Sequence, residues 1–413
     1  MKHILKKIGK YTLVTFLGLF VTVNAFILLS GRFYIYKGVA NTYLSGETGP
    51  TIYDMDIFPY STIKSTNKSP WKEHPKINKQ KIPDALRTYL EDLNTKAFLV
   101  FKKDTLLYEE YWEDHEQETI SNSFSIAKTI VALLIGIAVD EGKIKNLDES
   151  IANYIPEFKG GNQETITIRH LLSMSSGLDW SESSSNPLSD NAESYYGSNL
   201  RRLTMAQKRV DEPGKVFNYQ SGNSQLLAYI LEEATGKDLT VYAQEKIWSK
   251  IGAGNNAYWS LDRKGGDEKA FCCVYATARD FAKIGLLLLN GGKVGEEQVI
   301  PEWYYAEMIR PANMKTEDGL QNYQYGLHIW TYFGITNPVY YCRGIKGQYI
   351  ITIPEEDLMI VRLGMGRKEK FQIPEHLRND QIYVRQNEKN VGHCLDLFQY
   401  IALGKMIKSQ IEL

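Results

Sequence analysis

Phe124-Ser-Ile-Ala-Lys-Thr-Ile-Val-Ala-Leu-Leu-Ile-Gly-Ile-Ala-Val139 is the stretch whose reading decides the fold. Drawn as a helix, it carries apolar residues on every side, the mark of a helix buried in a core rather than laid on a surface. One charged residue stands inside it, Lys128. Burial strips an ammonium of its hydration and favours the neutral amine, so Lys128 is expected to accept a proton near pH 7. Ser125 precedes it by three positions, one turn back on the same face. A hydroxyl beside a neutral amine is a pairing that activates a serine nucleophile without a histidine, which predicts an acyl-transfer enzyme. The Ser-x-x-Lys string recurs at Ser61/Lys64, Ser65/Lys68 and Ser69/Lys72. Those copies lie in a polar, proline-containing stretch with no helical apolar face and read as solvated linker.

Outward from this helix, the bulk numbers narrow the function classes. The chain has 413 residues, 43% of them hydrophobic and 12% aromatic, enough for a large core in one or two domains. Basic residues number 48 and acidic residues 49, so the net charge of -1 makes no electrostatic case for a nucleic-acid partner. The seven histidines are scattered without ligand spacing, and neither a metal site nor a cofactor is expected. No Gly-x-Ser-x-Gly elbow occurs, so a Ser-His-Asp hydrolase of the α/β kind has no anchor here. Cys272, Cys273, Cys342 and Cys394 read as small buried apolar residues, since neighbouring cysteines rarely pair.

The N-terminus carries an address. Lys2, Lys6, Lys7 and Lys10 precede a largely apolar run over residues 11–30. Twenty helical residues reach about 30 Å, the thickness of a bilayer core. The run continues through Phe26-Ile-Leu-Leu past its weak small-x-small site at Val23-Asn-Ala25, so an uncleaved anchor is expected over a cleaved signal. The lysines should stay cytoplasmic, which places the rest of the chain outside.

The expected domain plan is an anchor or signal over 1–31, a polar spacer over 32–80, and one domain over 81–413. In that domain, residues 97–112 read as a hairpin broken at Lys102-Lys-Asp104, and strands return late, at Tyr325–Tyr332, Gln348–Ile353 and Leu358–Leu363. Helical patterns fill the interval, which gives an α/β (α+β type) fold: an antiparallel sheet flanked by helices, with a helical insertion over about 121–258. Residues 175–200, rich in Ser, Asn, Asp and Gly, form a long loop of the kind that walls a site, and offer Trp180 and Tyr196 as substrate contacts. Trp330 is a further candidate contact.

Two more segments look chemically pointed. Phe217-Asn-Tyr-Gln-Ser-Gly-Asn223 is a polar turn before an apolar helix. An ammonium beside a phenol lowers its pKa, so Tyr219 is a candidate to share a proton with Lys128, the alternative being a loop aromatic that packs; Ser221 and Asn223 are candidate substrate contacts. Cys342-Arg-Gly-Ile-Lys-Gly-Gln348 reads as an ordinary glycine turn or as a site wall, where glycines such as Gly344 let backbone approach a substrate and exposed N–H groups are candidates to stabilise an oxyanion.

Together with Ile168-Arg-His-Leu-Leu-Ser-Met-Ser-Ser-Gly-Leu-Asp-Trp180 and Ala276-Thr-Ala-Arg-Asp-Phe-Ala-Lys-Ile-Gly285, these segments make residues 85–365 resemble the serine β-lactamase and penicillin-binding family in its class C-like branch. The resemblance implies a nucleophilic Ser125, Lys128 and Tyr219 as the proton-transfer pair, and an oxyanion hole from the N–H groups of Ser125 and Ile345. Two departures bear on substrate. The second motif reads Tyr219-Gln-Ser221 where class C β-lactamases have Tyr-x-Asn, and no Lys-Thr-Gly occurs. The chain is therefore more similar to the 6-aminohexanoate-dimer hydrolase and esterase branch, which implies a small amide or ester as substrate. The alternatives are a β-lactamase or DD-peptidase, and a membrane-tethered acylation sensor.

Overall fold

A computed structural model describes residues 2–183 and 185–412. Its main sheet has seven strands in the order Trp330–Tyr332, Val339–Gly344, Gln348–Ile353, Leu358–Gly364, Thr95–Lys102, Thr105–Tyr111, Lys72–Glu73. All neighbours are antiparallel except the edge pair Lys72–Glu73 with Thr105–Leu106, which is parallel. Successive side chains of a strand point to opposite faces. Leu99 and Phe101 therefore join one core cluster, and Phe98 and Val100 the other. A sheet buried on both faces needs strands that are apolar without alternation, and Thr95–Phe101 is buried throughout.

Helices supply both covers. With α1 at Lys2–Ser30, α2 at Tyr34–Asn41, α3 at Ile126–Asp140, α4 at Asp190–Tyr196, α5 at Ser221–Thr235, α6 at Ala278–Leu289 and α7 at Leu395–Glu412, α6 and α3 pack with one face and α7 with the other. Every residue of α3 from Ile126 to Ala138 is buried, as its all-round apolarity predicts. Each fully buried Leu or Ile side chain contributes about 1.5–3 kcal/mol, so α3 is a main anchor of the fold. The fold is α/β, with antiparallel sheets flanked by helices and an apolar N-terminal helix ahead of them.

Three expectations change. The polar spacer over 32–80 is folded onto the rest of the chain. Tyr60–Ile63 pairs with Ala257–Ser260 in a second, four-stranded sheet, and Ile52, Phe58 and Ile63 are buried. Few apolar residues in a polar segment suffice when each enters a core. In the late strands, Tyr325 only bridges to Trp330, and Val339–Gly344 is an additional strand that ends at Gly344. Cys272 and Cys273, though buried, are joined in a disulfide, with Cys273 at φ 72°. Cys342 and Cys394 are free and buried.

Helix α1 is long and apolar enough, over Ile4–Ser30, to cross a membrane. Its far end is not detached. Ile27 is buried, and the Tyr36 hydroxyl donates to Asn24 Oδ1 at 2.7 Å, folding α2 back beside it.

Candidate active site

Ser125 is placed by a sharp turn between Ser121–Asn122 and α3. Phe124 sits at φ 46°, a left-handed conformation that a bulky residue adopts only when its surroundings hold it there. The Phe124 N–H donates to Asn122 Oδ1 at 2.9 Å, and the ring is buried beside Tyr275 and Phe271. Ser125 caps the helix with its side chain free of capping duty and partly exposed, while Lys128 one turn on is buried.

Three oxygens surround the Lys128 amine: Phe271 O at 2.6 Å, Ser221 Oγ at 3.1 Å and Ser125 Oγ at 3.2 Å. Burial pulls its pKa from the ordinary 10.5 down to about 8, against an opposing pull from Glu182. Glu182 was not foreseen as a site residue. Its carboxylate accepts the Ser221 N–H and the Ser221 hydroxyl, both at 2.7 Å, and the Trp180 indole N–H at 2.8 Å.

Tyr219 lies with its ring 5.3 Å from the Lys128 amine. It stacks on Trp330 at 5.7 Å and meets Tyr325 edge-on at 5.9 Å. The guanidinium of Arg343 covers Trp330 at 3.5 Å, so Trp330 is clamped between cation and phenol. The expected drop in the Tyr219 pKa is not found. Burial pushes the phenol well above its usual range, and the facing Ser125 hydroxyl offsets this only in part, so Tyr219 stays protonated.

The pocket over Ser125 measures about 100 Å³ and is lined by Ser125, Glu182, Tyr196, Ser221, Cys272 and Ile345 among others. The N–H groups of Ser125 and Ile345 have no partner among the turn, loop and cap hydrogen bonds. Ile345–Gly347 is a tight turn rather than strand, with Lys346 at φ 59°. Gly344 precedes it against the turn that leads to Ser125, where a Cβ would lie 2.4 Å from the Ser123 carbonyl. Glycine is needed for packing there, and Gly344 does not line the pocket.

Four expected substrate contacts are thus displaced: Gly344, Trp330, Asn223 and Trp180. Trp330 lies behind Tyr219. Asn223 is buried and accepts from Ser176 Oγ at 2.7 Å. Trp180 packs on the first turn of α5, where a Cβ on Gly222 would come within 2.5 Å of its ring. Ser221, Tyr196 and Ile345 do reach the pocket. Among the described residues no cluster of His, Cys, Asp or Glu is built to hold a metal ion.

Residues 84–381 match the β-lactamase family, and the chain belongs to it. It is a serine hydrolase of that fold. It is 26% identical over 298 residues to the 6-aminohexanoate-dimer hydrolase of Paenarthrobacter ureafaciens, covering 68% of this chain and 75% of that protein. Its fold superposes with a TM-score of 0.70 on a Bacillus anthracis protein provisionally assigned as a 6-aminohexanoate-dimer hydrolase, at 23% identity, over 87% of this chain and 94% of the other. A penicillin-binding protein from Bacillus halodurans shares the fold at a TM-score of 0.55 and 17% identity, over 68% and 95% of the two chains.

Proposed function

We propose that this protein is a membrane-anchored amidase or esterase that cleaves a small, uncharged amide or ester through an acyl-enzyme on Ser125. The observation that carries the reading is the direction of the hydrogen bonds around Lys128. A neutral amine has two N–H donors and one lone pair. Phe271 O can only accept, and takes one donor. Ser221 gives its single hydroxyl proton to Glu182, so it accepts the second. The lone pair is left for the remaining neighbour, the Ser125 hydroxyl. Lys128 is then a base aimed at the nucleophile's proton.

In the reaction, Ser125 Oγ attacks the carbonyl carbon as its proton passes to Lys128. The oxygen that becomes negative settles on the N–H groups of Ser125 and Ile345. The C–N or C–O bond breaks, and the leaving amine or alcohol takes the proton from Lys128 through the protonated Tyr219. Water repeats the sequence, giving its proton to Lys128 and its oxygen to the acyl carbon. The acid leaves and Ser125 regains its proton.

The pocket lining favours uncharged substrates. Among the described residues Glu182 is its one charged member, and no Lys or Arg lines it. Lys346 has Glu47 and Asp54 as its charge neighbours, and Arg343 is turned into the core on Trp330. The carboxylate of a β-lactam or a stem peptide would be buried here without a cation, which is costly. The 6-aminohexanoate-dimer hydrolase to which the chain is similar is named for an amide, which supports the amide half of this reading. On the purified protein, kcat/KM for p-nitrophenyl acetate or butyrate and for short uncharged amides should exceed that for penicillins, cephalosporins and acyl-D-Ala-D-Ala. A tenfold lead of a β-lactam or a D-Ala-D-Ala peptide over the esters would sink this reading.

The anchor rests on the length and apolarity of α1. The mature chain should stay with membranes through a high-salt wash and keep residues 1–31. Recovery of a soluble chain that starts near Phe26 is the opposing result.

A further inference from the structure

Beside the catalytic pocket lies a second hollow of about 120 Å³, between α2 and the segment 185–192. Its walls are mainly apolar and include Ile35, Val39, Pro50, Pro187, Ala192 and Tyr196. Three of these, Pro50, Ala192 and Tyr196, also line the pocket over Ser125, so the two spaces share a wall. On its other side the groove shares Tyr34 and Tyr196 with a hollow at the foot of α1, lined by Ser30, Gly31 and Phe33 and by the charged Lys37, Glu193 and Arg202. The Tyr196 ring thus borders the nucleophile's pocket, the groove and the end of the apolar helix.

The docking of α2 is specific. The Tyr34 hydroxyl donates to Pro187 O at 3.0 Å, and Arg32 Nη1 donates to Leu188 O at 3.2 Å. Around this junction Phe33, Tyr43, Leu44 and Leu188 are left exposed, with Leu44 at 79%. Apolar residues exposed together at the end of a membrane-length helix suit the boundary between headgroups and acyl chains.

We infer that the groove takes the hydrocarbon chain of an amphiphilic substrate that remains in the bilayer while its ester or amide reaches Ser125. The proposal rests on the anchored-hydrolase reading above and names its substrate class. Three observations select this occupant over a polar one. The groove has mainly apolar walls, it shares Pro50, Ala192 and Tyr196 with the catalytic pocket, and it adjoins the hollow at the foot of α1. A charged tail would find no partner among the groove's lining residues, none of which is charged.

The test is chain-length selectivity of the full-length protein in phospholipid vesicles, with p-nitrophenyl butyrate and octanoate as probes. Each methylene taken out of water raises kcat/KM by about fourfold at most, so octanoate should lead butyrate by at least tenfold. Val39→Asp and Ile35→Asp place a carboxylate on the groove wall. They should cut that lead by at least fivefold and leave butyrate turnover within twofold of wild type. Both esters partition into vesicles identically for all three proteins, so a change in the ratio belongs to the groove. A flat chain-length profile, or a lead that survives both substitutions, overturns the groove proposal alone and would make the hollow a packing seam. Absence of butyrate turnover in the wild type overturns the hydrolase reading with it.

Discussion

Ser125→Ala should reduce turnover of p-nitrophenyl butyrate by at least ~10³-fold and abolish labelling by a fluorophosphonate probe, because no other hydroxyl can replace it. Ser221 is the nearest rival. Its oxygen lies 3.1 Å from Lys128, about as close as Ser125 at 3.2 Å. Its proton, however, is committed to Glu182 at 2.7 Å, and the residue is buried where Ser125 is partly exposed. The variant should fold normally. Ser125 makes no capping hydrogen bond, and losing its one contact with Lys128 costs about 1 kcal/mol. Intact thermal unfolding with no labelling is the expected pair of results. Turnover near the wild-type rate would remove Ser125 from the mechanism and bring Ser221 forward.

The parts of this site that were legible in the sequence are those fixed by local geometry. Ser125 and Lys128 are three residues apart in one apolar run, so both their proximity and the burial of the amine follow from helix periodicity. Tyr219 and Ser221 stood out because a polar turn leads into an apolar helix. The errors came where sequence nearness says nothing of direction. Asn223 follows Ser221 by two positions on α5, about 200° round the helix, so it faces Ser176 and not the pocket. Trp180 and Glu182 are two apart in a loop without periodicity. The conspicuous tryptophan proved to be the buttress, and the plain carboxylate reached the site. Pro50 and the α2 residues of the groove come from the segment over 32–80 that read as a polar spacer, so nothing local marked them as walls beside the site. The sheet was more legible, since continuous runs such as Thr95–Lys102 can be satisfied only between two layers.

The pH dependence of kcat/KM should follow Lys128 as a base, rising through about pH 8 and levelling above it. Burial lowers the pKa, so the neutral amine is the minority form at pH 7, roughly a tenth of the population, and nearly complete at pH 9. A tenfold rise over that interval is expected. Glu182 opposes the shift, so Glu182→Gln should move the rising limb toward acid, which loss of a merely structural contact would not do. Lys128→Met keeps the length of the side chain and removes the base, and should cost at least ~10²-fold in rate. Stability should change in the same direction. Between pH 8 and 10.5 the unfolded chain holds a proton at Lys128 that the folded chain has released, so wild-type stability rises with pH across this window. Below pH 8 the full cost of burying the ammonium remains, on the order of 3 kcal/mol for a shift of this size. Lys128→Met is free of that cost. Its melting temperature should exceed the wild type's by the widest margin at pH 7, and the margin should narrow as pH approaches 10. A margin that does not change with pH, or a kcat/KM that is flat from pH 6 to 9, would mean that Lys128 stays charged and that the base is another group.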